Sequence, residues 1–375
     1  PCRIVDTRET TTGIIGASTE RDFHVFGNSS TISAQGGNSA GCPAPPGEPL
    51  AAHINLVVAN PTGKGTIQAY PVGDSQGANL IVNFANIGSN LANAGIVETT
   101  LGTGPDITVA SRNSSAHTVI DVLGYYYPDG DLSYAPVTPC KIVDTRNTSE
   151  GMIGASTERD FHVFGDGSTI SDQGGNSAGC PAPMGEPLAA HINMVAVNPT
   201  GKGNLKAFPK GASSGAGLSV NYNTIDTNLA NAGTVKTKYL DGTDITVASQ
   251  YSSAHVTMQV LGYYYPDGDL LYTPVTPCKI VDTRKMSEGM IDAFTERDFH
   301  VYGSGSIISD QGGNAAGCSS PLGEPLAAHI SMVAVDPTGK GNLKAFPVGA
   351  DGSAGLSINY NAIDTNLANA GTVKT

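Results

Sequence analysis

The chain has 375 residues, of which 47 are glycine and 23 proline, with no tryptophan, 14% charged residues and a formal net charge of −13. An acidic chain so sparing of Lys and Arg lacks the clustered cations that nucleic acid or an anionic membrane requires, so neither is expected as a partner. No apolar run approaches the roughly 20 residues of a membrane-spanning helix, so helical membrane insertion is not expected.

The words PCRIVDTR open the chain at Pro1 and return as PCKIVDTR at Pro139 and Pro277, an uninterrupted period of 138 residues. Self-similarity at a fixed period defines the folding unit, and this period has the size of a domain rather than of a solenoid turn. Three units are expected: 1–128, 139–266 and 277–375, joined by proline-rich linkers at 129–138 and 267–276. The third lacks the counterparts of DITVAS and HVTMQVLGYYY, its last two strands. The expectation is a window on a longer array, with strand exchange from a different partner as the alternative.

Within the first unit, CRIVDT (2–7) and DFHVFG (22–27) are strand-like runs. HINLVVAN (53–60) alternates Ile54, Leu56 and Val58 on one face, the period-two signature of a half-buried strand. PTGKG follows as a tight connection, with GTIQAYPV (65–72) expected as its hairpin partner. NLIVNF, AGIVETTL, DITVAS and HTVIDVLGYYY bring the total to about eight strands, and no segment keeps a capped 3.6-residue pattern. The fold expected is all-β: tandem antiparallel β-sandwiches, Ig-like or jelly-roll-like. Proline-rich linkers are semi-rigid and extended, which predicts a rod or helical fibre.

Each copy carries two cysteines: Cys2 and Cys42, Cys140 and Cys180, Cys278 and Cys318. None sits in a CxxC pair, so zinc or thioredoxin-like chemistry is not indicated. Pairing within a copy lets each fold alone, and closing that loop is worth about 3–4 kcal/mol on the chain-entropy model. Buried free thiols, or links between copies, are the alternatives. Disulfides point to an extracellular or cell-surface location.

Several motifs carry chemistry in other settings. GxSxG places Ser39, Ser177, Ser75 and Ser213 as nucleophile candidates, but no helix follows to raise the serine, and the third copy has Ala315 and Asp351 there. PTGKG lacks the glycine spacing of a phosphate loop. The histidines (His24, His53, His117 and their copies) show no ligand spacing, leaving only a zinc site assembled across strands against ordinary surface or hydrogen-bonded roles. Asp6, Arg8 and Arg21, with Asp144, Arg146, Arg159, Asp282, Arg284 and Arg297, are expected to pair with one another. PDGD offers Asp129, Asp131, Asp267 and Asp269 to calcium, although the same letters make an ordinary turn; no cofactor is expected. Tyr125, Tyr126 and Tyr127, with Tyr263, Tyr264 and Tyr265, are candidates for inter-domain or sugar contact. Asn28, Asn113 and Asn147 head glycosylation sequons.

PC[RK]IVDTR, a second cysteine, HINxVxxxPTGKGxxxA[YF]P, NLANAG and a closing VLGYYYP together resemble a tandem repeat of secreted and surface proteins of environmental bacteria. The resemblance covers essentially the whole chain. It implies an extracellular β-rich module and brings no catalytic residues. The expectation is a structural, non-enzymatic protein: a filament, stalk or surface layer whose partners are copies of itself and glycans. A carbohydrate-binding or adhesive module is the alternative.

Overall fold

Alternation of apolar and polar residues makes the first repeat a set of strands, because a half-buried strand buries every second side chain. The computed structural model describes residues 1–375 except 45–46, 75–79, 85–87, 89, 226–227, 239–241, 269, 274, 276–277, 351, 353 and 361–366. The first repeat holds β1 (Cys2–Asp6), β2 (Glu20–Phe23), β3 (Ala51–Ala59), β4 (Gly65–Pro71), β5 (Leu80–Phe84), β6 (Leu91–Glu98), β7 (Ile107–Arg112) and β8 (His117–Tyr126). They form two antiparallel sheets, ordered β1-β8-β3-β6 and β2-β7-β4-β5. Two interleaved Greek keys over two sheets give this order, so the sandwich is a jelly roll. Ile4, Ile54, Leu56, Ile67, Val109 and Ile120 meet between the sheets with no exposed surface.

One expected pairing is not found. GTIQAYPV is not the hairpin partner of HINLVVAN: β3 lies between β8 and β6, while β4 lies between β7 and β5 in the other sheet. PTGKG therefore crosses between sheets. Both strands present an apolar face, and alternation alone cannot say which neighbour will cover it.

The second repeat reproduces the first, with β9 (Ser133–Asp144), β10 (Thr157–Phe161), β11 (Ala189–Val197), β12 (Gly203–Pro209), β13 (Leu218–Tyr222), β14 (Leu229–Lys236), β15 (Ile245–Gln250) and β16 (His255–Tyr265). Its sheets run β14-β11-β16-β9 and β10-β15-β12-β13. In the third repeat the described strands are β17 (Ala327–Ala334), β18 (Gly341–Ala345), β19 (Leu356–Tyr360) and β20 (Leu367–Lys374), paired as β17-β20 and β18-β19. Each repeat closes its own disulfide, Cys2–Cys42, Cys140–Cys180 and Cys278–Cys318, with Cα separations of 6.0, 5.9 and 5.8 Å. Between each cysteine pair lies a six-residue helix: α1 (Ser29–Ala34), α2 (Gly167–Asp172) and α3 (Gly305–Asp310).

The connections do not space the repeats along a rod. Strand β9 already begins at Ser133, and Pro136 is tolerated because β9 is an edge strand. Tyr134 and Leu270 exchange backbone hydrogen bonds of 2.8 and 3.0 Å, so the two connections lie against each other. Folded back in this way, they let the three repeats close around a common axis.

Candidate functional site: the axis shared by the three repeats

The phrase NLANAG, identical in all three copies, supplies the strands on this axis: β6, β14 and β20. Their central asparagines, Asn93, Asn231 and Asn369, are fully buried. Each donates from Nδ2 to a carbonyl of its own repeat: Ile81 O, Ser219 O and Ser357 O, all at 2.7 Å. Each then accepts at Oδ1 from an alanine amide of another repeat. Ala94 donates to Asn231 (2.8 Å), Ala232 to Asn369 (2.9 Å) and Ala370 to Asn93 (2.9 Å). The last of these returns to the first repeat, so the three bonds form a closed pseudo-threefold ring. The glycine of the phrase permits the approach. A Cβ on Gly233 would stand 3.2 Å from Ala94 Cβ, and one on Gly371 3.3 Å from Ala232 Cβ.

Next along the strands comes a layer of three histidines, His53, His191 and His329, with ring centroids 5.7, 6.0 and 6.2 Å apart. His191 Nε2 accepts from the Thr372 amide (3.0 Å) and His329 Nε2 from the Ile96 amide (3.3 Å). The proton of each ring therefore sits on Nδ1, which donates to Thr234 Oγ1 or Thr372 Oγ1 at 3.1 Å. In the first repeat Ile96 occupies the threonine position opposite His53, and both nitrogens of this buried ring lack a partner. Burial, and then the neighbouring imidazoles, hold His53 well below the usual range. The same causes lower His191 to about 3, and burial lowers His329 to about 4. The cluster is neutral. Two of the rings have both nitrogens committed to protein partners, which leaves no set of three lone pairs for zinc. Among the described residues no group of three or more His, Cys, Asp or Glu is arranged to hold a metal ion.

Tyrosines form the following layer. Tyr126 Oη and Tyr264 Oη lie 3.0 Å apart, and the Tyr126 ring packs against that of Tyr272, tilted by 42° with centroids 4.6 Å apart. The middle tyrosine of each cluster is thus an inter-repeat contact. The outer ones serve their own sandwich: Tyr125 and Tyr263 donate to Val25 O and Val163 O, and Tyr127 and Tyr265 to Gly47 O and Gly185 O.

The three seams differ in detail. Asn55 Nδ2 donates to Ser219 Oγ at 3.0 Å, and Asn193 to Ser357 Oγ at 2.9 Å. At the seam between third and first repeats the counterparts are Ser331 and Ile81, so that polar bridge is absent from the residue types themselves. Arg3 reinforces the first seam, pairing with Asp121 at 2.6 Å and donating to Gly215 O at 3.0 Å.

The remaining candidates fall elsewhere. Asp6–Arg8, Asp144–Arg146 and Asp282–Arg284 form the expected two-pronged pairs, with contacts of 2.6–2.8 Å. Arg21, Arg159 and Arg297 do not join them: each donates to the carbonyl of Gly13, Gly151 or Gly289 at 2.9 Å, which ties down a loop. His24 and His162 approach Asp106 and Asp244 at 3.8 and 3.9 Å, while His117 and His255 bond Thr7 and Thr145 at 3.1 Å. Ser39, Ser177 and Ser213 lie in exposed turns, as do Asp129, Asp131 and Asp267; Ser75 and Asp269 lie outside the described residues. The exposed Asn28 caps α1 by accepting from the Thr31 amide, a role Asp166 takes on α2. Asn113 has φ +70, like Tyr251 at +72. Asn147 is exposed in a short turn of 3-10 helix.

No family model matches the chain, and no curated protein matches it. Among solved structures, one similar chain is from a cryo-EM structure of Broad Bean Stain Virus, at 9% identity and TM-score 0.19, covering 71% of this chain and 91% of that one. Another is the PBSX exported protein XepA, at 10% identity and TM-score 0.19, covering 70% and 85%. A third is A223, a turret protein of Sulfolobus turreted icosahedral virus, at 8% and 0.12, covering 56% and 87%.

The histidine layer and the asparagine ring were not expected from the sequence, which suggested ordinary surface or hydrogen-bonded histidines. The available signal was position: His53, His191 and His329 sit inside strands flanked by buried Ala and Ile, where an exposed histidine has no place. The rings are neutral, and the hydrogen bonds of the asparagine ring and the histidine layer join one repeat to the next.

Proposed function

We propose that the protein is a structural building block of an extracellular or cell-surface assembly: a filament, stalk or surface layer. The observation that carries this reading is the closed ring of alanine–asparagine hydrogen bonds. It fixes two disulfide-bonded jelly rolls and a smaller disulfide-bonded third unit as one block instead of three beads on a string. Disulfides fit an oxidising compartment, and no helix among the described residues is long and apolar enough to cross a membrane. The ordered VDTR…GYY motifs add their resemblance to repeats of secreted bacterial proteins, and the exposed sequon asparagines are available to glycans. The building unit of such an assembly is the three-repeat block, so its repeat distance is set by blocks and not by single sandwiches. Electron microscopy of the secreted material under non-reducing conditions tests this. Continuous fibres or sheets with a block-sized repeat support it, whereas only separate monomers would remove it.

The carbohydrate-binding reading requires accessible aromatic faces, and the middle tyrosines are occupied by contacts between repeats. A glycan array distinguishes the two: binding that is lost on Tyr127→Ala while assembly persists would favour the sugar module.

A further inference from the structure

Two strands of each repeat are sheet edges that face the axis: β5 and β6, β13 and β14, β19 and β20. An edge strand leaves the N–H and C=O of every second residue without a ladder partner, and those groups must find one elsewhere. Along β6 the other repeats supply it. Asn90, just before the strand, exchanges bonds of 2.8 and 3.0 Å with the Asn223 carboxamide. The Ala94 amide meets Asn231 and the Ile96 amide meets His329. Ala92 is in the same phase, lying opposite Val57 as Ala94 lies opposite Asn55, so its N–H also turns to the axis. No side chain among the described residues accepts from it, and the residue two before Asn231 is Leu229, which has no acceptor. Ala230 and Ala368 repeat the arrangement, two residues before Ala232 and Ala370.

The edges of the other sheets behave alike. Asn93 Nδ2 bonds Ile81 O, and the amides of Ser219 and Ser357 approach Asn55 Oδ1 and Asn193 Oδ1 at 3.5 and 3.4 Å. The outward phase is therefore that of Ile81, Ser219 and Ser357, and two residues on it includes the amides of Asn83, Asn221 and Asn359. Six N–H groups thus converge from three repeats. A cavity of about 20 Å³ lies there, and the first repeat lines it with the two peptide units that carry these amides, Val82–Asn83 and Leu91–Ala92, as the other repeats do with their copies. The carbonyl of each such unit points the opposite way, into its own ladder. Among the side chains, Asn83 Oδ1 already accepts from Thr66 Oγ1 (3.0 Å), and Asn221 Nδ2 is a buried donor without a partner.

We infer that this cavity is a binding site for a monatomic anion of the size and charge of chloride. Convergent backbone N–H groups make anion-binding concavities, and a cavity of this volume admits one water-sized particle. A water there must also donate two hydrogens, for which the six peptide units offer no acceptor. A cation meets the positive ends of six amide dipoles. The anion satisfies donors of all three repeats at once, and so ties them together at the end of the axis opposite the tyrosines. The inference rests on the strand edges and the cavity, and is independent of whether blocks assemble further.

The test uses the 375-residue chain in two measurements. The quadrupolar NMR line width of chloride should broaden in its presence, and bromide should reverse the broadening by competition. Thermal unfolding is compared in sodium chloride and in sodium gluconate, whose anion is too large for the cavity, at constant ionic strength. Chloride alone should raise the midpoint, by about 2 °C per tenfold increase once the site is mostly filled. Asn221→Asp sets a negative charge in the lining and should weaken chloride binding at least roughly ten-fold. Thr11→Asp, in an exposed turn, adds the same charge and should leave binding unchanged. The proposal is overturned by an absence of chloride broadening, by equal midpoints in the two salts, or by binding that Asn221→Asp leaves intact. The first two readouts need no variant, so they decide the matter even if Asn221→Asp fails to fold.

Discussion

The amide of Ala232 donates to Oδ1 of Asn369 at 2.9 Å, joining the second repeat to the third across 137 positions of chain. The same bond recurs from Ala94 to Asn231 and from Ala370 to Asn93, so each repeat both gives one and receives one. Buried amides must find acceptors, and a side chain satisfying a neighbour's backbone makes the neighbour part of the same folding unit.

Replacing Asn231 should therefore unsettle two repeats at once. Asn231→Ala strands the Ala94 amide and removes bonds to Ser219 O and Asn55 Oδ1. A loss of at least about 2 kcal/mol is expected in urea denaturation, because unsatisfied buried groups cost about 1–3 kcal/mol each. A loss below about 0.5 kcal/mol, the level of an ordinary surface change, would show that the ring contributes nothing.

Gly124 and Gly262 are equivalent in sequence but not in surroundings. A Cβ on Gly124 meets nothing within 4 Å, whereas one on Gly262 would lie 2.2–2.6 Å from the buried Tyr134 ring. Gly124→Ala should be neutral, and Gly262→Ala should cost about 1–3 kcal/mol through overpacking. Equal thermal shifts for the pair would contradict the placement of Tyr134.

The partner of each axial histidine gives another paired test. Thr234→Ile removes the acceptor of His191 Nδ1 and should destabilise by about 1–3 kcal/mol. Ile96→Thr offers His53 the hydroxyl that its counterparts have, which offsets the lost apolar contact. Calorimetry should find the second change far milder than the first.

Acid should weaken the block through the same histidines. Their folded values lie below the ordinary 6.5, so their contribution is complete above that pH. As pH falls below it, the unfolded chain binds protons that the folded rings refuse, down to about 3 for His191 and about 4 for His329. Each fully buried histidine then costs about 1.4 kcal/mol per pH unit. Asp244 acts in the opposite sense: burial raises it from 3.8 to about 6, so the folded state takes up a proton first and gains stability between those values. Denaturation from pH 7.5 to 4.5 should show a net loss. His53→Leu, which breaks no hydrogen bond, should make the slope shallower by about 1.4 kcal/mol per unit.

Much of the architecture is written locally. Alternation in HINLVVAN made a strand legible, and the forty-residue cysteine spacing made a disulfide within each repeat the economical choice. The two-residue separation of Asp6 and Arg8 suits a fork-to-carboxylate pair. Pairing partners were less legible, since β3 and β4 each bury an apolar face whichever strand adjoins them.

The sequence by itself determined the repeat, the all-β class and the positions of the disulfides, because each follows from period, alternation or spacing within one copy. Tertiary structure alone decided that the repeats close into a ring rather than extend into a rod. Closure depends on Asn93, Asn231 and Asn369 reaching amides a whole repeat away, and on glycines that let three strands meet. No local pattern records such a contact: a buried asparagine and an exposed one are the same letter until the neighbouring backbone arrives.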